Sequence, residues 1–488
     1  MFNKSLPEKL RSLFHVLLAV FGSLSLAAPP GVAAVDSTIL VAPPNGSDDT
    51  ANIQAALDAC VAHGPGCTVQ LQAGKYLSRQ LVSYNFQGTF KGMGKDRTSI
   101  EALYPLLVTL EPVGGTADSL CRPNTTTCLW PDLILFVNGE IHISDLALYE
   151  LAPPGMATTP WGFAGSNPGY VGLFDVLSFI GQHANAYIDR IHMEGLPDPN
   201  NFVGFNVVNG AHYTGEFPRS LTPLDWYFLS GSYTVRNSSF KNMGDGVSQD
   251  AFVKSTRITI GGSPTTGNHF DGLCFTGVDM ETLEESIVEI SYNESSGFCL
   301  GGAAAWVVPW TVPAGMPFVP TSPTRYYIHD NTLFTTAQFS DGLFLLDISS
   351  SPFIDAAVWN NSIQLQNTLS EGIGVINTKG TMVLNNSITG SDAFDAIGLY
   401  SSTLDMVVHN SVSGVTIDST VGNAQIFLDP GTSNDLVVCS SSSDTILNQG
   451  TDNMLVHCQR SEAAPAAAAP IRAASAAAHD RPMRKPSL

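Results

Sequence analysis

Four short segments decide the fold: Asn331-Thr332-Leu333, Asn361-Ser362-Ile363, Asn386-Ser387-Ile388 and Asn410-Ser411-Val412. Each is an Asn, then a small hydroxylated residue, then an aliphatic one. They follow one another at intervals of 30, 25 and 24 residues. A period in the twenties is the length of one turn of a β-solenoid. Asn is the residue such a coil needs at a tight corner, because its amide both donates and accepts. It can bond the backbone and the next Asn in line at once. These asparagines are therefore expected to be structural, a ladder along one corner. Asn237 and Asn293 are expected to extend it into earlier turns.

A second set runs beside the first: Gly246-Val247, Gly272-Leu273, Gly297-Phe298, Gly342-Leu343, Gly372-Ile373 and Ala396-Ile397, at intervals of 26, 25, 45, 30 and 24. It reads as one strand start repeated over successive turns. The long interval holds Gly301 to Thr324, a Pro/Trp-rich stretch expected to be thrown out from one corner as a loop. On this register Cys274 and Cys299 each fall two residues after their glycine and stack in neighbouring turns. Adjacent strands lie ~4.8 Å apart, within the Cα range a disulfide tolerates.

Upstream, Asn45-Gly46-Ser47-Asp48-Asp49-Thr50 is a polar turn ahead of a helical pattern. Ile53, Ala56, Leu57 and Cys60 share one face, with Asp48 or Asp49 near the positive end, and the helix stops at His63-Gly64-Pro65-Gly66. A strand at Thr68–Leu71, a turn at Gly74 and a strand at Tyr76-Leu77 follow. Asp48-Asp49-Thr50 with Ile53-Gln54-Ala55-Ala56-Leu57, Thr68-Val69-Gln70-Leu71, Ala73-Gly74-Lys75-Tyr76 and Gly92-Met93-Gly94 resembles the N-terminal cap of the pectate-lyase superfamily. The resemblance implies an all-β chain built as a right-handed parallel β-helix, with a short N-terminal capping helix over its open end. It does not fix the reaction, because that superfamily holds hydrolases, lyases, epimerases, esterases and non-enzymes.

The 488 residues carry 43 Asp and Glu against 22 Lys and Arg, a net charge of −21. That balance disfavours nucleic acid and anionic membrane surfaces as partners. Lys4, Lys9 and Arg11, the apolar stretch Leu13 to Leu26, and Val32-Ala33-Ala34 form the three regions of a signal peptide. The stretch is short for a membrane span, and the mature chain is expected to be secreted, extracellular or periplasmic. Residues 1–34 read as signal peptide, 35–105 as cap and first turns, 106–458 as parallel β-helix, and 459–488 as a disordered Ala/Pro-rich tail. Eight cysteines fall into four local pairs without a C-x-x-C: Cys60 with Cys67, Cys121 with Cys128, Cys274 with Cys299, and Cys439 with Cys458. Disulfides are the expected state.

Candidate chemistry comes from the residues just before the second register: Asp245, Asp271, Ser296, Asp341, Glu371 and Asp395. Stacked on one edge, neighbours would be ~5 Å apart and next-neighbours ~10 Å. Retaining glycosidases hold their carboxyls ~5–5.5 Å apart and inverting ones ~6.5–9.5 Å. Asp245, Asp271, Asp341 and Glu371 are the catalytic candidates, with Trp306 and Trp310, and Trp161 further upstream, as sugar platforms. The competing reading of each acid is ordinary Asp-before-Gly turn chemistry, and of each Trp, loop packing. Phe270-Asp271-Gly272 and Ser340-Asp341-Gly342 share only Asp-Gly with the N-T-D-G of the polygalacturonase family. That family's paired aspartates, Gly-His-Gly and Arg-Ile-Lys have no counterpart, so its activity is not carried over.

The expectation is a glycoside hydrolase acting on a polysaccharide, with no cofactor required. Calcium is the ion a carboxylate stack could hold, joined by Asp250, Asp279 and Glu281. The alternatives are a calcium-assisted lyase or epimerase, using the basic residues Arg236, Lys241, Lys254 and Arg257, and a non-catalytic glycan-binding solenoid. No G-x-S-x-G, H-E-x-x-H or phosphate loop occurs. Nothing in the sequence sets the oligomeric state.

Overall fold

The computed structural model describes residues 37–461 except 104–108, 111–127, 130–131, 150–174, 196–208, 215–228, 251–252, 274–275, 282, 299–300, 308–321, 336–340, 348–352, 367–369, 392 and 419–423. Its strands form a 25-stranded sheet, an 11-stranded sheet and one two-stranded pair. Among the described residues every pairing in the two large sheets is parallel, and only the small pair, Thr109–Leu110 with Cys128–Leu129, is antiparallel. The chain is a parallel β-helix, right-handed as parallel crossovers are.

The larger sheet supplies two faces of the coil and the smaller one the third. In early turns one long strand serves both of the first two faces, bending where Asn85 and Asn138 take positive φ of 57° and 56°. Later turns split it into two shorter strands. On the second face Val69, Phe90, Ile143, Ile188, Val235, Ile260, Ile290, Ile328, Val358, Val383, Val407 and Val437 stack in one unbroken column. On the third face Ile100, Leu148, Met193, Phe240 and Phe270 lead into Leu333, Ile363, Ile388 and Val412. These columns meet inside the coil as one core. Each burial removes apolar surface from water, at about 25 cal/mol per Å².

The expected cap is present. A helix spans Thr50–His63 and buries Ile53, Ala56, Leu57 and Cys60 on one face. Cys60 is joined to Cys67, at the start of the first full strand, with Cα atoms 5.5 Å apart. Asp49 is the N-cap residue, but its side chain bonds no N–H of the helix. Its carboxylate accepts from the N–H groups of Asn45 (2.9 Å) and Leu77 (3.1 Å), tying the turn to the next strand. A second disulfide, Cys439–Cys458, staples the last turns. Cys121, Cys274 and Cys299 lie outside the described residues, as do the signal segment and the tail. No helix among the described residues is long and apolar enough to cross a membrane.

The Asn ladder is longer than the four segments that announced it. Asn268, Asn293, Asn331, Asn361, Asn386 and Asn410 are all buried, and each Nδ2 from Asn268 to Asn386 donates to the Oδ1 of the next at 2.9–3.1 Å. Asn237 is not a member. It sits one residue early, in left-handed conformation (φ 53°), and Ser238 occupies the ladder position, its N–H donating to Asn268 Oδ1.

Candidate active site

The second register holds only in part. Val247, Val278, Ala303, Leu343, Ile373 and Ile397 are the residues actually aligned on the first face. The glycines preceding them are therefore Gly246, Gly277, Gly302, Gly342 and Gly372. Gly272 and Gly297 belong elsewhere, following Asp271 and Ser296, which pair with each other on the third face. The error is one of corner, since Asp-Gly turn chemistry serves any of the three.

The acid stack is corrected accordingly. The aligned row reads Asp245, Thr276, Gly301, Asp341, Glu371, Asp395. Asp245 stands three strands from Asp341, about 14 Å at the usual strand spacing, beyond the reach of a carboxylate pair. It is buried, and its Oδ1 accepts both the N–H (2.9 Å) and the hydroxyl (3.0 Å) of Thr276 in the next turn. Its carboxylate thus ties one turn of the coil to the next. Asp271, on the third face between Lys241 and Ser296, accepts from the Ser296 hydroxyl at 3.0 Å.

Asp341, Glu371 and Asp395 do come together, in three consecutive turns. Asp341 is partly exposed, while Glu371 and Asp395 are 1% and 0% exposed. Ile373 and Val375 point into the core, so Gly374 between them faces outward, and Gly398 aligns with it in the next turn. The missing side chains make room. A Cβ on Gly374 would lie 2.9 Å from Glu371 Oε2, and one on Gly398 would lie 2.2 Å from Glu371 Oε1 and 2.6 Å from the Tyr400 hydroxyl. The Glu371 carboxyl thus lies across two glycines on the outside of the first face, beside Tyr400. The Tyr400 hydroxyl donates to Asp395 Oδ2 at 2.5 Å. Burial, and then the neighbouring Asp395, hold the Tyr400 phenol protonated far above its ordinary range. Phe427 packs edge-on to Tyr400, and Ala424 and Leu447 complete an apolar wall.

Tyr400 and the two glycines were missed by sequence reasoning. The signal available was the spacing Asp395–Tyr400 on one strand. Trp306 lies in a strand, Gly301–Val307, paired with Glu281 and Leu346, and not in a loop as expected. Trp310 and Trp161 fall outside the described residues. The basic group expected near Asp245 is dispersed. Arg236 stacks 4.5 Å over Tyr187 and lies 3.8 Å from Asp189, Lys241 pairs with Glu194 at 3.7 Å, and Lys254 with Glu284 at 3.6 Å. Among the described residues no group of three or more His, Cys, Asp or Glu is arranged to hold a metal ion. Asp279 is buried on the first face, aligned with Ser248 and Ala304.

No protein-family model matches this chain, and no curated protein does. Among solved structures it is similar to a DFA-IIIase from Arthrobacter chlorophenolicus A6 in complex with DFA-III, at 12% identity over 88% of this chain and 99% of that one, with a TM-score of 0.48. It is also similar to the A-module of the mannuronan C-5 epimerase AlgE4 from Azotobacter vinelandii, at 14% identity over 86% and 95% of the two chains, with a TM-score of 0.30. The fold assignment stands on the strand pairings of this chain itself.

Proposed function

We propose that this is a secreted carbohydrate-active protein, a glycoside hydrolase whose carboxylate pair is Asp341 and Glu371, with Asp395 and Tyr400 positioning them. The observation that carries the reading is the alignment of Asp341, Glu371 and Asp395 in consecutive turns, with the Glu371 carboxyl in the room left by Gly374 and Gly398. Adjacent strands are ~4.8 Å apart, close to the ~5–5.5 Å carboxyl separation of retaining enzymes. Three carboxyls so close cannot all ionise cheaply, which is how such sites keep one protonated as general acid.

Asp341, the partly exposed member, is the nucleophile in this scheme. It attacks the anomeric carbon while Glu371 gives its proton to the leaving glycosidic oxygen. Water, deprotonated by Glu371, then cleaves the glycosyl ester and restores both groups. Tyr400 holds Asp395 by its hydrogen bond. Residues 1–34 act as the signal peptide, and the two disulfides suit the oxidising compartment that secretion implies.

A second reading is favoured by the burial of Glu371 and Asp395 and by the bonds that tie Asp245 to Thr276 in the next turn. It makes the chain a non-catalytic glycan-binding solenoid whose acids are structural. A pocket on the third face, lined by Lys75, Lys95, Asp96, Arg97, Tyr149 and His192, would serve such binding. The lyase or epimerase reading needs a base beside Asp245, and Arg236, Lys241 and Lys254 are engaged by acids of other turns.

The deciding experiment is mass analysis of products from neutral and uronic polysaccharides, with wild type, Asp341→Asn and Glu371→Gln. Fragments carrying an added water, lost by roughly 10³-fold or more in either variant with the thermal transition retained, are expected. Unsaturated ends would replace the hydrolase by a lyase. Undiminished glycan binding with no product would leave the solenoid reading standing.

A further inference from the structure

A sheet with one face in water normally alternates apolar inward and polar outward. The second face breaks that rule over its last five turns. Inward go Val358, Val383, Val407, Val437 and Leu455, as they should. Between them, the outward positions are Ala357 and Trp359, Met382 and Leu384, Met406 and Val408, Leu436 and Val438, Met454 and Val456, each pair aligned with the next. None of the ten is charged, in a chain of net charge −21. Met382 and Met406 are each 37% exposed and Met454 63%.

Size decides what can cover this strip. Five turns at ~4.8 Å by two columns ~7 Å apart make a patch of roughly 300 Å² once side-chain width is included. A stable complex between free proteins buries about 800 Å² on each partner. The strip is too small for that, but ample for a segment tethered to the same chain, whose effective concentration is in the millimolar range. Such a segment exists. The sequence continues for 27 residues beyond Ser461, five residues after the strip ends at Val456. Those residues hold 11 Ala with Ile471, Met483 and Leu488, and four Lys and Arg against two Asp and Glu. They are small, apolar and basic where the body is acidic. At ~3.3 Å per extended residue, eight of them cover the strip's length.

We propose that residues 462–488 dock along this outward apolar strip of the second face, covering Met382, Met406 and Met454. The test uses the full chain and a triple variant, Ile471→Asp/Met483→Asp/Leu488→Asp. Both are pulsed with hydrogen peroxide, and methionine sulfoxide is read peptide by peptide. Met93, 44% exposed and remote in the fold at the N-terminal end, is the internal control. Oxidation of Met382 and Met406 is expected to rise at least about threefold in the variant as the tethered contact is lost, with Met93 unchanged. Equal rates in the two proteins would overturn the proposal. So would protection that grows with protein concentration, since a second copy would then be the cover.

Discussion

Two corners of this coil solve the same problem with different side chains. Between the second and third faces, a left-handed residue (Asp330, Asn360, Asn385, His409) is followed by Asn331, Asn361, Asn386 and Asn410. Between the first and second faces, Gly380, Leu404, Asn434 and Asp452 take the same left-handed turn and are followed by Thr381, Asp405, Asp435 and Asn453. In both, the side-chain oxygen of one turn accepts the backbone N–H of the turn before. Thr381 donates to Asp405 at 2.7 Å, Asp405 to Asp435 and Asp435 to Asn453 at 2.9 Å.

What differs is the second atom. An amide returns a donor, so Asn331 Nδ2 also satisfies the Ile290 carbonyl (2.9 Å) and the ladder repeats through six buried turns. A carboxylate returns only another acceptor. Burial, and then the charge of Asp435, outweigh the N–H of Thr381 enough to push Asp405 up to about 7. Burial pushes Asp435 up to about 6 despite the N–H of Asp405. Stacked amides can repeat without limit, whereas stacked acids make stability depend on pH.

The largest effect is expected from putting an acid into the amide corner. Asn361→Asp removes donors to the Ile328 carbonyl and Asn386 Oδ1 and sets a charge among acceptors. A loss of about 4–5 kcal/mol at pH 8 is expected in urea unfolding, partly regained at pH 5. Asn361→Ala takes away the same donors and also the acceptor used by Asn331, without adding charge. Its expected loss is about 3 kcal/mol, with no dependence on pH.

The converse exchange should stabilise. The protonated forms of Asp405 and Asp435 are favoured by folding, so the native chain binds more protons than the unfolded one between the ordinary 3.8 and the raised values. Their contribution is fully present below about pH 4 and is lost as pH rises through 6 to 7. In Asp405→Asn, thermal melts should show a smaller fall between pH 5 and 8 and a higher midpoint at pH 8, by on the order of a few degrees. Asp435→Asn should change the melts in the same direction and less, its shift being the smaller. A wild-type midpoint that does not fall over this range would remove the contrast.

The Asn ladder was legible because its bonds are local in kind. The same amide must meet the same backbone in every turn, so the residue recurs at the period of the coil. Asn268 escaped because His269 and Phe270 follow it in place of a small hydroxylated residue and an aliphatic one, and Asn237 was included because an Asn also suits the left-handed position beside the ladder. Asp405 and Asp435 gave no signal, since Asp in a turn is commonplace. The acid row was half legible: Asp341, Glu371 and Asp395 were placed together, while Asp271 was borrowed from the third face.

By itself the sequence determined the solenoid, its period, the capping helix and the Cys60–Cys67 and Cys439–Cys458 pairings, because each depends on neighbours or on a strict repeat. Only the tertiary structure decided which carboxyls meet. Turn lengths vary from one coil to the next, so a five-residue difference moves an Asp-Gly from one face to another without changing its local chemistry. The direction of the Glu371 side chain depends on two glycines in different turns, Gly374 and Gly398, that only folding brings side by side.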